Sequence, residues 1–577
     1  MKLTHILAKG SVFLTFEQYE YIRPNLEEVK LKFTSLLEKF EAAESVHGQK
    51  EAIDEINRLR NNVGTMLTIC SIRHSIDTND EFYKSENEYL DELSPEIEDL
   101  VSQYYEKLVK TKYRKELEAE YGSQLFALAE AQLKTFSQEI IPLLQKENKL
   151  SSEYTQLLAA AKIDFEGEER TLAQLQPFTE SKDREIRKNA SEAIFRYFEE
   201  NEKKLDEIYD QLVKVRHEVA VKLGYKNFVE LGYYRMARTD YNAEMVANFR
   251  KQVEEYIVPL VSKLKERQKQ RINVDELKFY DEGFEFQTGN AEPKGGPAWI
   301  VENGKKMYSE LSTETAEFFN YMQDNGLMDL VAKKGKAGGG YCTMIEDYRA
   351  PFIFSNFNGT SGDIDVLTHE AGHAFQVYSS RNAKLPEYYW PTYEACEIHS
   401  MSMEFLTWPW MELFFKEDTD KYKFSHMASA LTFLPYGVTV DEFQHFVYEN
   451  PEATPSERKE AWRDIEKKYL PHRNYDGVEF LENGGYWQRQ GHIFNSPFYY
   501  IDYTLAQICA FQFWKRSRED QEKAWDDYLS LCKLGGSQSF LGLVESAHLD
   551  SPFTDGTVKN VVCVIDEWLT SIDDTKL

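Results

Sequence analysis

The chain predicts a mainly α-helical protein with a small sheet, on three observations. Apolar residues recur at helical spacing over long stretches, and the charged amphipathic pattern runs to about residue 150. Aromatic residues make up 14% of the 577, with 35 Tyr and 36 Phe, enough to fill a large core or line an internal surface. The helical pattern breaks most clearly around residues 276–300 and 333–360, where Gly, Pro and aromatics take over.

In order, "MKLTHILAKGSVFLTF" reads as an ordinary N-terminus: His5 and Lys9 interrupt it and no small-residue cleavage site follows an apolar core. Pro24 and Asn25 then mark a helix start, with Val29, Phe33, Leu36, Leu37 and Phe40 on one stripe. A turn at Gly167 and Pro177 interrupts the helices, and Ser181 can cap the next one, which carries Ile186, Ala190, Ile194 and Tyr197. This break divides the chain into an N-terminal helical lobe, 1–180, and a second lobe, 181–577. Residues 276–300 read as a hairpin or irregular excursion. Gly338, Gly339 and Gly340 lack the Lys-Ser/Thr context of a phosphate loop and predict a mobile or tightly turning hairpin, followed by a strand in "APFIFSNF".

The formal net charge of −30 disfavours nucleic acid or an anionic membrane surface as a partner, because phosphate binding needs a basic footprint. No run of eighteen apolar residues occurs, so no membrane span is expected. Six cysteines without a CxxC pair predict reduced thiols and a cytoplasmic location.

Against this background stands His369-Glu370-Ala371-Gly372-His373, within a helix patterned by Val366, Leu367, Ala374, Phe375 and Val377, whose start Ser361 or Asp363 can cap. Four-residue spacing puts both imidazoles on one face, where they can share a tetrahedral cation. Glu370 lies about 100° round the helix, free to handle a proton. This is the zincin arrangement. A five-residue match is short enough to arise by chance, so its weight depends on a third ligand. The following helix, from about Thr392, offers Glu394, Glu397 and Glu404, with His399 on its flank. Spacing alone leaves Glu394 and Glu397 open as ligand; Glu404 suits a hydrogen bond to the far nitrogen of a ligand imidazole.

"HEAGH" followed by "EIHSMSMEF" resembles the thimet oligopeptidase and oligoendopeptidase F family, and more closely its bacterial Pz-peptidase-like branch. The resemblance is strongest between Gly338 and Tyr503. It implies one Zn²⁺ per chain on His369, His373 and Glu397, with Glu404 behind. It implies a two-lobed helical body with a small sheet beside the active-site helix, enclosing a deep channel that admits oligopeptides and excludes folded proteins. It also gives a role to "GHIFNSPFYYIDY": His492 with Tyr500 and Tyr503, or Tyr499 instead, would donate to the oxyanion of the reaction.

The expected activity is zinc-dependent endopeptidase cleavage of short peptides with Glu370 as general base. One rival is a dipeptidyl carboxypeptidase of the same family, which needs a cation for the substrate's terminal carboxylate; Arg489 or Arg235 could serve. Another is a non-catalytic peptide-binding or zinc-scaffold protein, against which Glu370 argues because closed structural sites need no base.

Overall fold

The computed structural model describes residues 14–577; the reading of the first thirteen residues as an ordinary N-terminus lies outside the described residues. The molecule is mainly α-helical, as the periodicity predicts. Asn25 caps the first helix, Leu26–Ala42, by accepting from the Glu28 amide at 3.0 Å, and Val29, Phe33, Leu37 and Phe40 are buried. With the helices Val46–Ile76, Glu81–Val109 and Gln124–Leu133 they form a core of their own, which also takes in Leu385 and Tyr388. A larger core runs from Phe16 to Leu569 and is continuous across residue 180.

Gly167 turns a short hairpin, β1 (Ile163–Phe165) and β2 (Glu168–Arg170). The helix after it, Arg184–Glu200, is capped by Asp183 rather than Ser181: the Asp183 carboxylate accepts from the Glu185 and Ile186 amides, while Ser181 Oγ accepts from Asp183 itself. The excursion at 276–300 contains no strand. It is one 3-10 turn, Phe279–Asp281, and loop, until Pro297 opens a helix.

Beside the motif helix lies a three-stranded sheet of β3 (Met328–Val331), β4 (Tyr341–Ile345) and β5 (Ala350–Phe357), in the order β3-β5-β4. β5 is central and almost wholly buried, which explains its unbroken apolar run. Gly338, Gly339 and Gly340 do not turn a hairpin. They belong to the connection that carries the chain from β3 across to β4 on the other side of β5. The hairpin turn is at 346–349, where Arg349 takes the left-handed conformation at φ 48°. Among the described residues β4 therefore has one paired edge and one free edge.

From β5 the chain turns directly into the motif helix, Gly362–Ser380. Asp363 fastens that turn by accepting the Asn358 and Gly359 amides, each at 2.9 Å, so its carboxylate locks the strand-to-helix corner instead of capping the helix. Ser361, at the cap position, makes no side-chain cap bond. Among the described residues no helix is long and apolar enough to cross a membrane.

Candidate metal centre and oxyanion site

The motif helix packs on the next one, Tyr393–Leu406, at unusually close range. A Cβ added to Gly372 would lie 2.6 Å from Ser400 Cα and 2.7 Å from the His399 carbonyl oxygen, so only glycine permits this approach. His369, His373 and Glu397 each present one donor atom, all within 4.8 Å of one another. Glu397 Oε2 is 3.2 Å from Nε2 of each imidazole. A tetrahedral cation with bonds of about 2.0–2.1 Å needs donor pairs about 3.3 Å apart, so these residues fit a small divalent ion. Ser400 Oγ donates to Glu397 Oε2 at 2.9 Å, and the Tyr499 hydroxyl donates to Oε1.

Outside the donors, His369 Nδ1–H donates to Glu404 Oε1 at 2.7 Å, which leaves the Nε2 lone pair for the cation. Glu404 Oε2 accepts from His426 Nε2–H at 2.7 Å, and His426 Nδ1 accepts from the Trp408 indole at 3.1 Å. Since indole only donates, His426 can hold Glu404 as a neutral imidazole. Burial would raise the Glu397 carboxyl, but His373 and His369 hold it well below the usual range. Glu370 differs: its burial pushes its carboxyl up, and its Oε2 has no partner. Gly340 abuts it, and a Cβ there would come within 3.2 Å of Glu370 Oε1.

Across the cavity, the segment from Gly485 to Tyr503 is a 3-10 turn, Gly485–Arg489, a short helix, Gly491–Asn495, that carries His492, and the first turn of the helix Tyr500–Glu519, joined by non-helical links at Gln490 and 496–499. Its carbonyls are held from afar: Gln488 O by the Tyr154 hydroxyl at 3.0 Å, Phe494 O by Arg216 at 2.6 Å and Phe498 O by Arg238 at 2.5 Å. Phe498 itself has φ 67°, an uncommon conformation for a bulky residue. Gly232 leaves room for its ring, since a Cβ there would meet Phe498 Cδ2 at 2.5 Å. On this scaffold the Tyr436 hydroxyl donates to Gln490 Oε1 at 2.9 Å, so the Gln490 amide group donates to His492 Nδ1 at 2.8 Å. His492 then carries its proton on Nε2, 3.1 Å from the Tyr503 hydroxyl, and burial lowers its pKa to about 4, keeping it neutral. A cavity of about 540 Å³ is lined by His369, Glu370, His373, Glu397, His492, Tyr499 and Tyr503 together with Tyr341, Cys342 and Thr343 of β4.

The sequence matches the Peptidase M3 N-terminal domain over residues 16–136 and Peptidase family M3 over residues 177–292 and 305–562. The chain belongs to peptidase family M3. A solved structure of Pz peptidase A with inhibitor 2 is 66% identical, covers 97% of this chain and 100% of its own, and superposes with a TM-score of 0.97. Oligopeptidase PepF of Bacillus subtilis (strain 168) is 22% identical over 574 residues, 93% of this chain and 81% of its own. Oligoendopeptidase-F from Enterococcus faecium, 15% identical, shares the fold at a TM-score of 0.63, covering 95% of this chain and 99% of its own. As an M3 protein, the chain is a metallopeptidase and its substrates are peptides.

The residues singled out in this M3 sequence do not all meet at the cavity. His369, Glu370, His373, Glu397, His492 and Tyr503 line it, and so does Tyr499. Tyr500 is not among the lining residues: its ring packs against Phe433 and Tyr436, 5.7 and 5.8 Å between centroids. Glu394 and His399 are fully buried on the same helix as Glu397 but off the cavity, His399 donating Nδ1–H to the Ala395 carbonyl at 2.7 Å. Sequence reasoning missed Ser400, Gln490 and His426. Ser400 follows Glu397 by one helical turn and Gln490 precedes His492 by two residues, so local spacing held a signal for both. His426 comes from a separate helix, Thr419–Glu449, and had none.

Proposed function

We propose that this chain is a zinc-dependent oligoendopeptidase that hydrolyses internal bonds of short, unstructured peptides. The observation that carries the reading is the convergence of two imidazoles and one carboxylate within 4.8 Å, with Glu370 next to them and unpartnered. His369, His373 and Glu397 would hold the ion, and a set of two nitrogens and one oxygen suits Zn²⁺. When bound, zinc supplies a Lewis acid that polarises the scissile carbonyl and acidifies the attacking water.

The protein's own groups do the rest. Glu370, raised by burial, accepts the water's proton and delivers it to the leaving amine. His492 Nε2–H and the Tyr503 O–H donate to the oxyanion, at about 3 kcal/mol for each donor. The free edge of β4 offers backbone groups to an extended peptide, giving affinity with little sequence demand. An extended strand fits such a cavity and a folded domain does not. All six cysteines are free, which suits a cytoplasmic, reducing compartment.

Glu370→Gln should bind zinc as the wild type does while kcat on a quenched peptide falls by about 10²–10⁴. A normal rate from a fully zinc-loaded Gln variant would sink the assignment. Product masses from one decapeptide separate internal cleavage from release of C-terminal dipeptides.

A further inference from the structure

A cavity of about 500 Å³ lies between β4 and the helices Val46–Ile76 and Glu81–Val109. It borders Tyr341, Cys342 and Thr343, the same three strand residues that line the metal cavity. The two cavities therefore flank one stretch of free strand edge. Successive side chains of a strand point to opposite faces, so a peptide added to that edge would send one set toward the metal helices and the other toward these two.

Among the described residues, Asp91 is the one charged side chain that lines this cavity. Asn87, Asp91 and Ser94 follow one another at four and three residues along Glu81–Val109, which puts all three on the face that meets the cavity. Asp91 Oδ2 accepts from the Ser152 hydroxyl at 2.7 Å, while Oδ1 accepts no hydrogen bond from any described residue and the carboxylate enters no ion pair with one. Other acids of the helix are engaged or exposed. Glu86 accepts from the Tyr21 hydroxyl at 2.7 Å and from Arg23 at 2.9 Å, Glu96 pairs with Lys30 at 2.8 Å, and Glu88 is exposed. Lys149, the cation whose field reaches Asp91, already pairs with Glu92 at 2.6 Å. Burial pushes the Asp91 carboxyl up to about 6, so at neutral pH it is ionised in a concave, partly dehydrated place without a direct cation partner.

The rest of the lining suits a long basic side chain. Leu67, Ile72 and Leu90 offer apolar surface to an aliphatic stem, and Thr68, Ser71 and Asn87 carry oxygens that can accept further N–H groups. Strand direction says which part of a substrate arrives here. A peptide antiparallel to β4, the more stable pairing, runs from the Thr343 side toward Gly340. The metal cavity extends to Gly340 and this one ends at Tyr341, so it receives side chains from the N-terminal side of the cut.

We propose that this cavity is a subsite for a Lys or Arg side chain of the substrate, N-terminal to the scissile bond, and that Asp91 selects it. The inference rests on the peptidase reading above and deepens it by naming the residue class that the cleft prefers.

The test uses one decapeptide, acetylated and amidated so that it has no terminal charge. A single Lys is walked along it, and each Lys peptide is matched by one with norleucine, which keeps most of the stem and loses the charge. Mass spectrometry fixes the cut in each, and the readout is the ratio of kcat/KM for Lys over norleucine, which a change in overall activity or in the folded fraction does not move. Expected is a ratio of about tenfold or more at a position N-terminal to the cut. Asp91→Asn, which can still accept from Ser152, should bring the ratio close to one, and Asn87→Lys, which sets a cation one turn from Asp91, should do the same. Asp91→Lys should invert the preference, so that Glu at that position is cut faster than norleucine. A wild-type ratio near one at every N-terminal position, a preference found only C-terminal to the cut, or a ratio that survives Asp91→Asn overturns the proposal. Each of these leaves the peptidase reading intact, because the peptides are still cut, whereas no cleavage of any peptide by the zinc-loaded protein would overturn both.

Discussion

The two walls of the metal cavity are built by different means. The metal wall is two regular helices, and its residues sit at fixed local spacings: four between the donors His369 and His373, seven between the donor Glu397 and Glu404, which orients His369. The facing wall is a chain of short turns, Gly485–Arg489 and Gly491–Asn495, joined by a left-handed corner to the helix Tyr500–Glu519, and its shape depends on Tyr154, Arg216 and Arg238 gripping carbonyls from 260 to 334 residues away in sequence. The metal wall positions atoms by helix geometry, and the facing wall does so by tertiary hydrogen bonds. In the proposed reaction the first would hold the cation and the second would meet the developing negative charge, so damage to each should have its own signature.

The sharpest test is removal of a donor. His373→Ala should abolish stoichiometric zinc, read by metal analysis, and with it peptide hydrolysis; retention of both would break the division between the walls. On the facing wall, His492→Ala should keep its zinc and lose about 10²–10³ in kcat with little change in KM. Loss of zinc from this variant would show that the two walls are not separable. Glu404→Gln is milder, because it weakens only the hydrogen bond that orients His369. Zinc affinity should fall about 10- to 100-fold in a competition titration, with activity recovered at high zinc.

The smallest effect concerns stability. His399 on the metal wall, His492 on the facing wall and His472 elsewhere are all pushed down to about 4 by burial. In the unfolded chain each takes a proton near 6.5. Below about 6.5 the unfolded state therefore binds more protons than the folded one, and stability falls as the pH drops toward 4. The urea midpoint should be lower at pH 5 than at pH 7, and His492→Gln should flatten part of that slope.

The same contrast explains what the sequence disclosed. Helical periodicity foretold the fold class and the burial of Val29, Phe33, Leu37 and Phe40, because a helix face is a local property. "APFIFSNF" was legible as a strand from its apolar run. The Gly338–Gly340 connection was not: a crossover and a hairpin have the same composition, and only pairing partners distinguish them. Asp183 and Ser181 stand two residues apart with similar capping chemistry, so local pattern could not choose between them. At the site, spacing brought forward Glu397 and Glu404 but left Glu394 open. Which of the three tyrosines face the cavity depends on the left-handed turn at Phe498, and neither Pro497 nor Phe498 announces that turn.

Gly372 has one more consequence. Because it lets backbone rest on backbone, the gap between the two donor-bearing helices is fixed by main-chain contact and not by side chains that could hop between rotamers. The imidazoles and the carboxylate are then held in register before any ion arrives. Capture of a cation there would cost little ordering entropy, and that economy would come from a residue with no side chain.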